Sequence, residues 1–320
     1  MAKISEIQIS LFPITNKVKK AVERVNMFEE ASKELPIWLA TSKGKDSLVL
    51  EYIFALSKVA YEKHFSLTSV DPPELLRFAK QDKELNIDIP RYEDGKQKTM
   101  WNLIPKKKMP PTRLVRYCCS ELKECFGVGR ITATGVRWAE SINRKNNQGE
   151  VLIRDLGKSE KAKTEELQIG RITARGGVVL NLDNADSRRM VENCYRTRKT
   201  LVNPIIDFTD NEVWEIIRGE KIPYCELYDC GYKRLGCIGC PMAGPQGQLE
   251  EFKKRPTYKI AYIRAFDRML KLMEEGTHSW KNGEDVFAWW VGGYKEKSKI
   301  EIEGQQSWFE ELGLPTEETD

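Results

Sequence analysis

The amino-acid sequence predicts an α/β protein: an open, mostly parallel sheet with helices on both faces, Rossmann-like in plan. Two observations carry that expectation. Short apolar runs alternate with amphipathic helical stretches from residue 36 to about residue 90, and a further buried run, "GRITATGVR", follows them. In sheets of this kind, ligands sit beyond the carboxyl ends of the strands.

The elements follow in chain order. Val18, Val22, Val25 and Phe28 recur at helical spacing, so residues 1–35 read as an N-terminal helical segment. Pro36 opens "PIWLAT", a central strand, and the turn after it feeds a helix marked by Leu48, Val49, Tyr52, Ile53, Leu56 and Val59. "FSLTSV" is a second strand ending at Asp71, "PPELLRFAKQ" a helix with proline in its first turn, and "NIDIP" a third strand. "GRITATGVR" is a buried strand ending at Arg137. Between Arg144 and Arg189 the pieces "VLIRDL", "LQIGRIT" and "GVVLNL" alternate with polar and glycine-rich turns, which marks a small β-rich insert at about 145–190. "FTDNEVWEIIRG" carries a capping box, Thr209 with Glu212, and stops at Gly219. One long helix is expected from about Gln248 to Glu274, and Trp289 and Trp290 near the end read as packing. The domain plan is therefore 1–35, 36–242 and a helical C-terminal region at 243–320.

Composition narrows the class. The 320 residues are 40% apolar and 31% charged, enough for one large domain with an appendage. No apolar run is long enough to span a membrane and the first twenty residues lack signal-peptide pattern, so the expected location is cytoplasmic, with no membrane partner. In a reducing compartment the eight cysteines are expected as thiols or metal ligands rather than disulfides. The net charge of +4 is mild but uneven: residues 101–200 hold 21 Lys and Arg against 11 Asp and Glu, which points toward an anionic ligand.

The stretch "LATSKGKDSLVLEY" is the chemically informative one. A Walker A loop needs a glycine five positions before Gly44 and a Ser or Thr after Lys45; Leu39 and Asp46 stand there instead. What remains is a strand-to-helix turn whose backbone N–H groups, at the positive end of a helix dipole, receive a pyrophosphate or sulfate. Ser42 and Ser47 add hydroxyls, Lys45 adds charge, and Asp46 is placed to hold Mg²⁺ or to stabilise the loop.

"SKGKDS" resembles the SGGKDS signature of the PP-loop ATP pyrophosphatases and their relatives, the sulfonucleotide (PAPS and APS) reductases. "SVDPPELLRF", "RYCCSELKE", "TGVRWAESINR", "NPIIDFTDNEVWEII" and "LYDCGYKRLGCIGCP" are similar to the succession of motifs in the PAPS-reductase family, from Leu39 to Met242. The departure is Lys43 where the signature has its first glycine: lysine is strained there if positive φ is needed, and otherwise its ammonium adds to the phosphate site. The resemblance implies an adenine-nucleotide-binding fold with Thr41, Ser42, Lys43, Gly44, Lys45, Asp46, Ser47, Asp71, Gly135, Arg137 and Arg144 at the nucleotide; of these, Lys45, Asp46 and Arg137 would be catalytic. It implies ATP, PAPS or APS as ligand, with Mg²⁺. It also implies a [4Fe–4S] cluster on Cys118, Cys119, Cys237 and Cys240, with zinc as the alternative metal and Cys225 or Cys230 as substitute ligands.

The sulfonucleotide reductases use a nucleophilic cysteine in a C-terminal motif, and no cysteine follows Cys240 here. The first expectation is thus an enzyme that cleaves ATP to AMP and pyrophosphate, adenylating an acceptor for sulfur transfer. A sulfur-donor protein such as a cysteine desulfurase would be its partner. The alternatives are a sulfonucleotide reductase and a non-catalytic nucleotide- or nucleic-acid-binding component of a larger assembly of the phage-defence or CRISPR type. The resemblance extends to ATP pyrophosphatases of DNA phosphorothioation. A homo-oligomer is compatible with each reading.

Overall fold

A computed structural model of the chain describes residues 13–140, 170–172, 178–180, 191–194, 199–274 and 276–292. Arg144, most of the 145–190 insert and the acidic C-terminal stretch lie outside them.

Six strands form the main sheet: β1 (Ile37–Ala40), β2 (Tyr61–Ser66), β3 (Leu85–Asp88), β4 (Ile131–Ala133), β7 (Val191–Cys194) and β8 (Lys199–Val202), in the order β3-β2-β1-β4-β8-β7. Every neighbouring pair is parallel except β7 with β8. The open, mostly parallel sheet is as expected, with its one antiparallel strand at an edge. From the insert, β5 (Gly170–Ile172) and β6 (Val178–Leu180) make a separate antiparallel pair. Because the chain runs from β1 outward through β2 to β3 and then returns to place β4 on the other side of β1, the strand order reverses between β1 and β4. The crevice beyond those two carboxyl ends is the topological switch point.

Alternation along β1 decides what each sheet face buries. Ile37 and Leu39 are buried in a core with Val25 and Phe28, with Val49, Leu50, Ile53 and Phe54 of α3 (Lys45–Leu56), and with Val213, Ile216 and Ile217 of α7 (Asp210–Gly219). On the opposite face Trp38 stacks on His64 with ring centroids 3.3 Å apart, and Phe126 lies parallel to Trp38 at 6.4 Å.

Several boundaries differ from expectation for identifiable reasons. The N-terminal helical segment is two helices, α1 (Pro13–Asn26) and α2 (Glu29–Glu34): Phe28 leaves helical geometry at φ −99°, ψ 13°, and its N–H donates to Val25 O at 3.0 Å, closing the last turn tightly. The second strand starts earlier and stops at Ser66, since Ser69 has φ +67° and Asp71 Oδ2 accepts from Thr68 N–H at 2.7 Å, a side-chain-closed turn. β4 ends at Ala133, well before Arg137. α4 (Pro73–Ala79) and the capping box of α7 are as read. The short strands β7 and β8 and the helices α5 (Met100–Lys107) and α6 (Tyr117–Leu122) were not anticipated.

The chain divides into two compact units: Met1–Met100 with Tyr117–Cys237, and Trp101–Arg116 with Ile238–Asp320. The second is helical. Its expected single long helix is α8 (Gly244–Lys254) and α9 (Pro256–Leu270), because Pro256 drives Arg255 out of helical geometry to φ −132°, ψ 66°. α10 (Gly283–Val291) supplies Phe287 and Trp290 to an aromatic core with Phe252, Tyr262 and Phe266. Trp290 is buried packing, as read, and its Nε1–H donates to Pro111 O at 2.6 Å.

Candidate phosphate-binding site

The 41–47 turn leaves β1 and enters α3 with no intervening loop. Thr41 N–H still pairs with His64 O at 2.9 Å, and Gly44, at φ −80° and ψ 166°, is the N-cap of α3. The first helical turn of α3, whose leading N–H groups have no partner within the helix, therefore starts directly at the carboxyl end of β1.

Lys43 sits at φ +54°, so the departure from glycine does place a lysine in the left-handed region. Its ammonium turns away from the crevice. Nζ lies 2.7 Å from Glu51 Oε2 and 2.7 Å from Asp82 Oδ2, with the lysine side chain 4% exposed. Lys63 binds the same Asp82 at 2.8 Å. Thr41 Oγ1 accepts from Lys43 N–H at 3.1 Å and donates to Glu51 at 2.5 Å, so backbone and side chain of Lys43 end on one carboxylate. Burial works against ionisation of Asp82, yet hydrogen bonds from Lys43 and Lys63 bring its pKa down to about 2. Lys43 is thus a fastener for the turn rather than a phosphate ligand.

Lys45 and Arg137 are the cations that remain at the site. Arg137 is 1% exposed; its Nε lies 2.7 Å from Asp46 Oδ1, its Nη2 2.6 Å from Asp210 Oδ1, and its Nη1 donates to Phe208 O at 3.0 Å. Lys45 Nζ is 3.0 Å from Asp210 Oδ1 and 3.2 Å from Asp46. Asp46 therefore braces both cations, which favours the loop-stabilising role over a metal-holding one. Against the cost of burial, hydrogen bonds from Arg137 and Lys45 keep the Asp210 carboxyl below its ordinary value. Lys45 N–H donates to Tyr228 Oη at 2.8 Å, and burial pushes that phenol up to about 12. Ser47 Oγ donates to Gly44 O at 2.9 Å and lies 3.4 Å from Ser42 Oγ.

Gly135 has a steric reason. A Cβ there would lie 3.1 Å from the Asp46 carbonyl carbon and 3.2 Å from Ser47 N, so glycine lets the segment after β4 pass closely over the start of α3, where any side chain would press on that backbone. Asp71 is buried and closes its own turn on Thr68, in the same unit but apart from the Lys45–Arg137–Asp210 group.

Cys118, Cys119, Cys125, Cys225, Cys230, Cys237 and Cys240 are thiols outside any disulfide. Cys118 and Cys119 lie on α6, half-buried. Lys123, one helical turn beyond Cys119, has its ammonium pKa raised chiefly by the charge of Cys237, then, against burial, by Asp71 and Cys119. Cys237 Sγ is also 3.5 Å from Thr68 Oγ1. Thiols 119 and 237 thus share one cation. Cys225 is buried with Leu75, Leu227 and Leu235, and Cys230 is exposed. In the second unit the Ile238–Gly239 segment, between Cys237 and Cys240, is fixed by side chains of its own unit. Tyr262 Oη donates to Ile238 O and Gln248 Nε2 to Gly239 O, each at 3.0 Å, and Gly239 at φ +74° has Phe252 Cζ 2.5 Å from any added Cβ. Among the described residues no group of three or more His, Cys, Asp and Glu is disposed to hold a metal ion. Thiolate donors suit iron–sulfur or zinc chemistry.

Asp210, Tyr228 and Lys123 were not anticipated. Lys123 was hidden because it follows α6, a helix that the sequence did not announce; Asp210 was hidden inside the capping box, and Tyr228 reaches the turn only through tertiary structure. Among the described residues no helix is long and apolar enough to cross a membrane.

A family model of the phosphoadenosine phosphosulfate reductase domain matches residues 36–243. An adenosine 5'-phosphosulfate reductase from Oceanobacillus iheyensis is 44% identical over 45 residues, 14% of this chain and 19% of that protein. An uncharacterized protein of Methanocaldococcus jannaschii is 31% identical over 74 residues, 23% of this chain. The aligned stretches span only 15% and 19% of these relatives. Among solved structures, a phosphoadenylyl-sulfate reductase from Candida auris in phosphate complex aligns over 72% of this chain and 97% of its own, at 17% identity and TM-score 0.40. The U34-tRNA thiolase NcsA from Methanococcus maripaludis with its [4Fe-4S] cluster aligns over 83% of both chains, at 16% identity and TM-score 0.40.

Proposed function

The chain belongs to the phosphoadenosine phosphosulfate reductase domain family, and from that premise we propose that it is a PP-loop enzyme that binds ATP at the 41–47 turn and cleaves it to AMP and pyrophosphate. The observation that carries this reading is the pair of buried cations, Lys45 and Arg137, set beside the open N-terminus of α3 at the switch point. An acceptor oxygen attacks the α-phosphorus, the bond from that phosphorus to the bridging oxygen breaks, and pyrophosphate leaves with the electron pair. Lys45, Arg137 and the helix-start N–H groups would hold the pyrophosphate charge, and Asp46 would hold both cations in place. Mg²⁺, when bound, would offset further phosphate charge.

Sulfide-level sulfur delivered by a donor protein would then attack the carbon that bears the adenylated oxygen, the C–S bond forming as the C–O bond breaks and AMP leaves with its electron pair. Cys118, Cys119, Cys237 and Cys240 would carry a [4Fe–4S] cluster, zinc being the alternative; what supports this is the thiolate chemistry of the four side chains. The aligned stretch of the Oceanobacillus reductase favours a second reading, reduction of a sulfonucleotide.

One experiment separates them. Protein purified anaerobically is incubated with ATP labelled at the α-phosphate, and in parallel with labelled PAPS or APS, thioredoxin and reductant. AMP with pyrophosphate supports the first reading. Sulfite above a no-enzyme control, without ATP cleavage, moves the reductase to first place, and binding without turnover of either leaves a nucleotide-binding component.

A further inference from the structure

We propose that Asp210 is an in-chain competitor for the ligand's phosphate, a charge gate that sets which anions the Lys45–Arg137 site admits. This rests on the assignment of that site to phosphate. Asp210 Oδ1 lies 3.0 Å from Lys45 Nζ and 2.6 Å from Arg137 Nη2, and so occupies the point where the two cations converge. The cations are built in, 8% and 1% exposed, whereas the Asp210 side chain is 63% exposed. Its place in the crevice depends on those two contacts, and its outer face is already in water.

Charge counting gives the consequence. Lys45 and Arg137 balance Asp46 and Asp210, so the closed site is formally neutral; with Asp210 swung out it carries one positive charge. A single compact oxyanion, even a dianion such as sulfate, fills only the point that Asp210 leaves and gains little by replacing a tethered carboxylate that binds the same two cations. A pyrophosphoryl group brings several anionic oxygens, reaches both cations and the helix-start N–H groups together, and displaces Asp210 at a net gain. Tyr228 Oη acts in the same sense on Lys45 N–H, which it engages at 2.8 Å. The site is thereby tuned to polyphosphate over lone phosphate, sulfate or carboxylate. Asp210 is also the first residue of α7, where the helix dipole stabilises its carboxylate once displaced.

The test is calorimetry on the full chain with inorganic pyrophosphate, ATP and inorganic phosphate, comparing the parent with Asp210→Asn, Asp210→Ser and Lys45→Ala. Both Asp210 variants remove the charge while keeping a residue suited to a helix start. Each should bind pyrophosphate about three- to tenfold tighter, the range expected for removing a half-exposed competing ion pair. Each should also bind inorganic phosphate more tightly by a larger factor, which narrows the discrimination. Unchanged or weaker pyrophosphate binding in both, with binding lost in Lys45→Ala, overturns the gate and leaves the phosphate site standing. Indistinguishable pyrophosphate binding in the parent and Lys45→Ala overturns the site assignment, and the gate with it.

Discussion

Replacing Lys43 with glycine tests why a lysine stands in the left-handed region of the turn. The substitution relieves about 1–2 kcal/mol of backbone strain, but glycine also loses more freedom on folding by roughly 1 kcal/mol; the two nearly cancel. What remains is the ion pair. Lys43 Nζ sits 2.7 Å from both Glu51 and Asp82, whose side chains are 14% and 20% exposed. Removing one partner of a buried pair costs about 3–5 kcal/mol. The retained Lys63–Asp82 contact and the partial exposure of the carboxylates reduce this to about 3 kcal/mol. At about 2–4 °C per kcal/mol, Lys43→Gly should lower the unfolding midpoint by about 6–12 °C. Lys43→Met keeps the strain and loses the charge, so it should fall by a similar amount.

The pH dependence follows from Asp82. Its folded pKa, about 2, is below the unfolded carboxylate value, so its stabilisation is present at neutral pH and is lost as pH falls from about 4 through about 2. Without Lys43 that acid-side loss should shrink. The assay is thermal unfolding by circular dichroism between pH 3 and 8. A midpoint equal to that of the parent in either Lys43→Gly or Lys43→Met would refute the fastener.

Three further outcomes are expected. Gly135→Ala should keep the fold but weaken pyrophosphate binding at least tenfold in calorimetry, because the new methyl meets the Asp46 and Ser47 backbone at 3.1–3.2 Å; parent-like affinity would show that the two segments separate freely. Arg137→Lys keeps the charge but cannot reach Asp46, Asp210 and Phe208 O together, so nucleotide affinity should drop about tenfold or more, and parent-like binding would place the ligand elsewhere. Anaerobically purified protein should be brown with broad visible absorption that Cys237→Ser removes; colourless protein with stoichiometric zinc redirects the metal assignment, and metal-free active protein ends it.

The sheet was legible because its central strands are apolar runs abutting strong punctuation: Pro36 before β1, the glycine turn after it, Pro72 and Pro73 before α4. β8 was not, since "KTLV" is four residues long and gains its place only by pairing with β4 in a parallel register that no local pattern announces. The turn's residue types led to the expectation of an anion site, and Lys45 and Arg137 share Asp46 and Asp210 beside that turn. The direction of the Lys43 side chain was not legible. It depends on Asp82, brought near by the β2–β3 crossover, and its positive φ is a backbone fact that a lysine in sequence conceals. Cys225 looked like a spare ligand by spacing alone, but it packs among leucines.

The strand order also carries a consequence for synthesis. β3, β2 and β1 are contiguous early in the chain and can pair as soon as they are made, but one edge of β1 receives β4 only at residues 131–133, and β4 receives β8 only at 199–202. At a translation rate of about 5–20 residues per second, the edge of β1 waits roughly 5–20 seconds for its partner. During that interval the nascent chain presents an unpaired edge with Trp38 on one of its faces, a template for pairing with another copy. Ribosome-bound chains ending between residues 90 and 130 should therefore be the species most dependent on chaperones, and those extending past residue 202 should be released from that dependence.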